Sequence, residues 1–168
     1  MREAVISSLV SWCGTGDAAG DEALSGISFL DLYGGSGGVA IEASSRGAGP
    51  VRLVERDAKV ATVARRNAEH VGASVQVTTS TVSGFLSGVA DHPYDIVWLD
   101  PPYALADEEL SAVVGAILDR GWLATDGLLV IERSSRTPDP VLPPALDDVW
   151  GRRYGETTIH YATRKAGQ

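Results

Sequence analysis

A single cysteine, Cys13, stands in the 168-residue sequence. A lone thiol excludes a disulfide framework and a cysteine metal cluster, and a small, partly buried side chain is its simplest role. Histidine is scarce too. His70, His92 and His160 are scattered with no metal-ligand spacing among them, so no metal site is expected. Long apolar runs are missing: nothing approaches the roughly 20 residues that span a bilayer, and the first residues lack the apolar stretch of a signal peptide. No membrane partner is therefore expected, and a reducing cytoplasm is the expected compartment. Positive charge is the last shortage. Fourteen lysines and arginines face 22 acidic residues, for a net charge of −8 and a pI near 4.8. Broad, non-specific nucleic-acid binding draws much of its affinity from basic side chains on phosphates, and this balance argues against it. A local basic face is still possible at Arg152-Arg153 and Arg164-Lys165, whereas Arg65-Arg66 reads as the solvated side of a helix.

The chain is 44% hydrophobic and 21% charged, which suits one globular domain, residues 1–168, with a real core. It has no internal repeat. Residues 2–13 can form a helix, and the Gly/Ala/Asp-rich residues 14–26 read as a mobile acidic loop. From residue 27 short apolar strands alternate with helices. Strands are expected at 27–33, 51–55, 75–78, 96–99 and 128–132, with helices near 39–46, 57–70, 81–89 and 107–120, the second of these capped by Asp57. Such alternation means a parallel sheet covered on both faces. After the prolines at 138, 140, 143 and 144 the rhythm breaks. Residues 148–154 and 157–163 read as two strands turning at Gly155-Glu156 and pairing as an antiparallel hairpin. The expected fold is α/β, Rossmann-like and doubly wound, with a mostly parallel seven-stranded sheet and a C-terminal antiparallel hairpin.

Phe29-Leu30-Asp31-Leu32-Tyr33-Gly34-Gly35-Ser36-Gly37-Gly38 leads from the first strand into the next helix. Glycines let the backbone turn tightly and approach a ligand with no Cβ in the way, and the helix offers its N-terminus. Glu55 closes the second strand, 24 residues after Asp31. A carboxylate there can hold both hydroxyls of a ribose. Gly35-Ser36-Gly37-Gly38-Val39-Ala40 also matches the dinucleotide fingerprint, which admits NAD as the ligand. Asp31 favours another nucleotide. Its carboxylate would oppose a pyrophosphate but attract the ammonium of a methionine moiety, as S-adenosylmethionine carries.

A second signal follows the run Tyr94-Asp95-Ile96-Val97-Trp98-Leu99. Asp100-Pro101-Pro102-Tyr103 sets a carboxylate, a rigid turn and an aromatic face where a strand runs out. Prolines supply no N–H, leaving their carbonyls free to accept from a ligand. A carboxylate and a carbonyl can take the two protons of a planar amine while the ring stacks on its base. Apolar closure of the sheet end is the plainer role for Tyr103.

Taken together, Leu30-Asp31-Leu32-Tyr33-Gly34-Gly35-Ser36-Gly37, Val54-Glu55-Arg56-Asp57 and Asp100-Pro101-Pro102-Tyr103 resemble the class I S-adenosylmethionine-dependent methyltransferases that act on amino nitrogens. Within that superfamily the chain is similar to the RsmD-type 16S rRNA guanine-N2 methyltransferases. Glu42-Ala43-Ser44-Ser45-Arg46-Gly47-Ala48 resembles the Glu-Ala-Leu-Ser-Arg-Gly-Ala of that family, and Tyr154-Gly155-Glu156-Thr157 its Tyr-Gly-Asp-Thr. Arg2-Glu3-Ala4 looks like the end of its Arg-Val-Arg-Glu-Ala segment. Three departures stand out. The family's basic N-terminal β-hairpin, thought to help hold RNA, would precede Arg2-Glu3, where this sequence starts at Met1: either the true start lies upstream or this is a shortened form. Tyr33-Gly34 replaces the usual Phe-Ala, and Ser80-Thr81 stands where many relatives place an acid near the adenine.

The resemblance implies methyl transfer to the exocyclic N2 of a guanine in 16S rRNA, free or in the small ribosomal subunit, by a protein expected to be a monomer. S-adenosylmethionine is the implied cofactor, S-adenosylhomocysteine its product, and no metal is implied. It places Asp31, Tyr33, Gly34, Gly35, Ser36, Gly37, Glu55, Arg56, Ser80 and Thr81 at the cofactor, and Asp100, Pro101, Pro102 and Tyr103 at the chemistry. Asp100 and the Pro101 carbonyl would accept from the amine and aim its lone pair at the methyl carbon. Tyr103 would stack on a base turned out of its helix, as chemistry on a base edge requires. Three alternatives stand beside it. A DNA adenine-N6 methyltransferase can use the same tetrapeptide but needs room for target recognition. A NAD-dependent oxidoreductase lacks an evident Tyr/Lys or His/Asp catalytic pair here. A cofactor-binding module without activity fits the missing hairpin but not the intact tetrapeptide.

Overall fold

A computed structural model describes residues 2–166. The fold is α/β and Rossmann-like, with a seven-stranded, mostly parallel sheet and antiparallel strands at its C-terminal end. The chain divides into two compact units, Met1–Thr79 and Ser80–Gln168.

The first unit carries α1 (Arg2–Cys13), β1 (Phe29–Leu32), α2 (Gly38–Ser45), β2 (Val51–Glu55), α3 (Ala58–Val71) and β3 (Gln76–Thr79). Its strands run parallel in the order β3-β2-β1, with Asp31 level with Leu53 and Glu55 with Thr79. Every residue of β1 is buried, which is why its sequence is apolar on both sides of the one acid, Asp31, rather than alternating. Local chemistry accounts for α3. The Asp57 carboxylate accepts from the N–H groups of Lys59 (2.9 Å) and Val60 (3.1 Å), satisfying donors that a helix start leaves open. Ala61, Ala64 and Ala68 form its buried stripe, and Gly72 ends it at φ 68°, a left-handed position that glycine takes without strain.

Residues 14–26 depart from the expected mobile loop. Ala23 and Leu24 are buried, the Leu24 N–H donates to Arg46 O at 2.7 Å, and the Thr15 hydroxyl donates to Ala23 O. Two apolar side chains in a glycine-rich stretch suffice to pin it to the core.

The second unit holds α4 (Val82–Leu86), β4 (Tyr94–Leu99), α5 (Asp107–Asp119), β5 (Leu123–Ser134), β6 (Leu146–Tyr154) and β7 (Thr157–Arg164), with strand order β4-β5-β7-β6. β4 and β5 are parallel, while β7 lies antiparallel to both β5 and β6. Ile96, Val97, Leu99, Leu128, Val130 and Ile131 are buried, and α5 adds Leu110, Val114 and Ile117. Trp122 stacks on Tyr94 at 6.5 Å and tilts against Phe85 at 4.5 Å. β5 is longer than residues 128–132 because it continues back through an exposed Thr125-Asp126, with Asp126 at φ 63°. That polar, bent start hides the strand from an apolar-run reading. No helix among the described residues is long and apolar enough to cross a membrane.

Candidate active site

In the first unit the chain leaves β1 through a turn that a ligand-binding loop would need. Tyr33 sits at φ 62°, Gly35 at 59° and Gly37 at 96°. Left-handed backbone costs glycine little, but for tyrosine it is strained, and such strain persists only where surrounding contacts impose it. Gly34 answers a different need. A Cβ built there would lie 2.1 Å from Leu53 Cγ, so the loop can press on β2 only with hydrogen at that position. Its N–H donates to Val54 O at 2.9 Å, and Gly37 N–H returns to Gly34 O at 3.1 Å. Ser36 is exposed at the loop tip, where its carbonyl accepts from Asn67 Nδ2 at 3.0 Å.

Glu55, half-buried at the end of β2, ties this loop together. One carboxylate oxygen accepts from Gly35 N–H at 3.2 Å and the other from Asp57 N–H at 2.7 Å. A carboxylate offers about four lone-pair sites, so acceptor capacity for hydroxyls remains. Asp31 is buried near the end of β1, while Arg56 is exposed. Glycines that admit close approach, a tied-back carboxylate and a buried acid fit the donor and acceptor pattern of a nucleoside bearing an ammonium.

Two expected cofactor residues, Ser80 and Thr81, open the second unit and have local partners. The Thr81 hydroxyl accepts from Gly84 N–H at 3.1 Å and caps α4, and the Ser80 hydroxyl donates to Thr81 O at 2.8 Å.

The second unit brings the tetrapeptide together with residues that sequence reasoning missed. Asp100, Pro101, Pro102, Tyr103, Glu132, Arg133, Ser134 and Thr157 line a cleft of about 280 Å³. Tyr103 is 82% exposed, so its ring face is open to solvent at the cleft. Pro101 is buried and Pro102 exposed. The expectation that both proline carbonyls stay free needs correction, because Pro102 O accepts from Leu105 N–H at 3.0 Å and closes the turn.

Asp100 keeps a face to solvent, yet the protein around it removes enough water to raise its carboxyl above the ordinary value. Glu132 is raised further, to about 7, by burial first and then by the negative charge of Asp100. Register explains the pairing. Leu99 is level with Ile131; Asp100 follows at the end of β4 and Glu132 follows within β5. Arg133, buried on the same strand, donates to Leu105 O at 3.3 Å and approaches Asp107 at 3.7 Å. His160 on β7 is buried and shifted toward its neutral form by that burial, with Asp139 opposing and Arg133 reinforcing the shift. A carboxylate closing an apolar strand was the available signal for Glu132, as it was for Glu55 and Asp100. Among the described residues no group of three or more His, Cys, Asp or Glu side chains is placed to hold a metal ion.

The family model described as Conserved hypothetical protein 95 matches residues 3–163. The chain belongs to that family. Among the relatives of this Conserved hypothetical protein 95 member is the Ribosomal RNA small subunit methyltransferase D of Escherichia coli K12. It is 31% identical over 115 residues, which cover 68% of this chain and 57% of that protein. The matched chain thus spans little more than half the length of that relative. The Putative rRNA methyltransferase YlbH of Bacillus subtilis is 31% identical over 137 residues, covering 77% of this chain and 72% of its own length. A solved structure of the Putative methyltransferase yhhF from Escherichia coli superposes with a TM-score of 0.78 at 26% identity, covering 97% of this chain and 85% of that one. The RsmD-type motifs picked out in the sequence therefore belong to a chain of that family throughout its matched length.

Proposed function

We propose that this chain transfers a methyl group from S-adenosylmethionine to the exocyclic N2 of a guanine in small-subunit rRNA, in the cytoplasm. The cleft at the end of β4 carries most of this reading: Asp100 and Pro101 stand beside an aromatic ring left 82% exposed. An open tyrosine over paired acceptors suits a flat base bearing an amine, and base–aromatic stacking is worth roughly 1–3 kcal/mol.

In the first unit, Asp31 would meet the ammonium, the loop from Tyr33 to Gly37 would cradle the methionine moiety, and Glu55 would take the ribose hydroxyls, with Arg56 beside it. Bound there, S-adenosylmethionine would supply a methyl carbon activated by its sulfonium. In the second unit, Ser80 and Thr81 would face the adenine. Asp100 would accept one N–H of the target amine and Pro101 O the other, which opposes delocalisation of the nitrogen lone pair into the ring. Holding the amine in line supplies much of the rate by orientation, and the Asp100 charge favours the positive charge that grows on nitrogen.

The basic candidates on the C-terminal hairpin divide. Arg152 and Arg153 are exposed on β6, whereas Arg164 is turned inward to donate to Leu123 O. The exposed pair is the better place for a phosphate contact.

Glu55→Ala should weaken binding of S-adenosylhomocysteine in calorimetry by roughly 1.5–3 kcal/mol, the scale of a lost charge-assisted hydrogen bond. It also releases the N–H groups of Gly35 and Asp57, so the loop loses order with the contact. Preferential binding of NAD would sink the cofactor assignment. For the reaction itself, the protein should be incubated with labelled S-adenosylmethionine and rRNA from a strain lacking the gene, with duplex DNA in parallel. Label mapped to N2-methylguanine in small-subunit rRNA is the expected result. Label on adenine N6 of DNA would favour the DNA enzyme, and no label on either would remove the proposal.

A further inference from the structure

Glu132 has no part in the transfer just described, yet it shares the cleft with Asp100. Parallel pairing of β4 and β5 brings Leu99 level with Ile131, so Asp100, the first residue past β4, follows Leu99 as Glu132, still within β5, follows Ile131. The nearest cation along the strand, Arg133, is directed to Leu105 O and Asp107. Among the described residues Glu132 forms no ion pair. A half-buried carboxylate placed beside another carboxylate is unfavourable for folding, and its position at an open cleft calls for a chemical role.

We propose, resting on the methyl-transfer reading above, that Glu132 is the base that takes the proton released by the target amine. The balance of the step requires such a group. As the nitrogen gains its bond to the methyl carbon, the carbon–sulfur bond breaks with its electron pair passing to sulfur. The nitrogen then carries one proton more than the neutral product, and the proton that Asp100 holds passes through that carboxylate to a Glu132 oxygen and on to water at the cleft mouth. Asp100 thus orients the amine through its hydrogen bond and hands the proton on, while Glu132 is where it comes to rest.

Proton affinity separates the two roles. A base works best when its own affinity lies near the working pH, and Glu132 is pushed to about 7 by burial and by Asp100. The groups around it are few. Asp100 and Tyr103 stand on the turn after β4, and Arg133 follows on the same strand. On β7 the level partner is the apolar Ile159, with the buried His160 one position along. Asp100 is therefore the charge that tunes Glu132.

Glu132→Gln keeps the shape and removes the base. With rRNA as substrate it should slow methyl transfer roughly 10²-fold, the usual worth of a general base. Calorimetry with S-adenosylhomocysteine should be unchanged. The wild-type rate should rise with pH through about 7, as Glu132 loses its proton, and then level off. In Glu132→Gln that rise should vanish, and Glu132→Asp should keep it at part of the rate. A readout independent of turnover is the carboxyl carbon of Glu132 followed by NMR in the protein alone. It should titrate near 7 and move down in Asp100→Asn. Wild-type rate and pH profile in Glu132→Gln, or a Glu132 carboxyl titrating in the ordinary range, would overturn the role. A wild-type protein that binds S-adenosylhomocysteine but methylates neither rRNA nor DNA would instead overturn the reading beneath it, and the role with it.

Discussion

Asp100→Ala is expected to reduce methyl transfer roughly 10³-fold or more, about 4 kcal/mol of barrier, because the carboxylate contacts the amine where charge develops. Binding of S-adenosylhomocysteine should change little, since the cofactor residues proposed above lie elsewhere in the chain. Stability at neutral pH should hold or rise slightly, and the reason is Glu132. In the folded protein burial and the Asp100 charge raise Glu132 to about 7, above its unfolded value. The folded state therefore keeps a proton that the unfolded chain has already released. Stability from this source is full below the unfolded carboxyl range and falls as pH rises through about 7. Removing Asp100 relieves part of the repulsion, so the loss with rising pH should shrink. Single-turnover rates, calorimetry and melting curves at several pH values check the three parts separately. An Asp100→Ala protein that unfolds, or that keeps full activity, would make Asp100 a turn residue and remove it from the chemistry.

Gly34→Ala should have the largest effect of any single methyl group added to the first unit. The new Cβ would stand 2.1 Å from Leu53 Cγ and under 3 Å from both Leu53 methyl carbons. Leu53 is fully buried on β2, level with Asp31 of β1, so it has no open space to swing into. Either the glycine loop lifts away from β2 or the strand shifts, and overpacking of this kind costs roughly 1–3 kcal/mol. A lifted loop also separates Gly35 N–H from Glu55, so binding of S-adenosylhomocysteine should fall below detection in calorimetry. Gly115→Ala is the contrasting control. Nothing lies within 4 Å of its added Cβ, and it sits inside α5. There the same substitution should stabilise by about 0.5–1 kcal/mol, as alanine replaces glycine in a helix. Melting temperatures that move in the same direction for both variants would show that the Leu53 contact does not govern the loop.

Much of the frame was legible because its causes are local. Asp57 and Gly72 bracket α3 with a cap and a left-handed stop, and the alanine stripe between them repeats at helical spacing. β1, most of β4 and residues 127–131 of β5 are buried, whereas the edge strand β3 is exposed at its ends and half-buried between. Features that depend on distant neighbours were harder to read. Residues 14–26 look like a loose loop until Leu24 is seen to hydrogen-bond to Arg46 and bury its side chain. β5 hides its first residues because the exposed Thr125-Asp126 interrupts the apolar pattern between Leu123 and Leu128. Pro102 O looked available until the turn to Leu105 closed on it.

By itself the sequence determined the alternation of strands and helices, the C-terminal hairpin, the glycine loop with Glu55, and the tetrapeptide from Asp100 to Tyr103. Each rests on residues close together in the chain, where spacing alone specifies what neighbours what. Only the tertiary structure decided that Glu132 stands beside Asp100, that Gly34 presses on Leu53, and that Glu55 holds the backbone of its own loop. Those pairings join residues 32, 19 and 20 positions apart. They follow from strand register and turn geometry, which the pattern of residue types constrains but does not state.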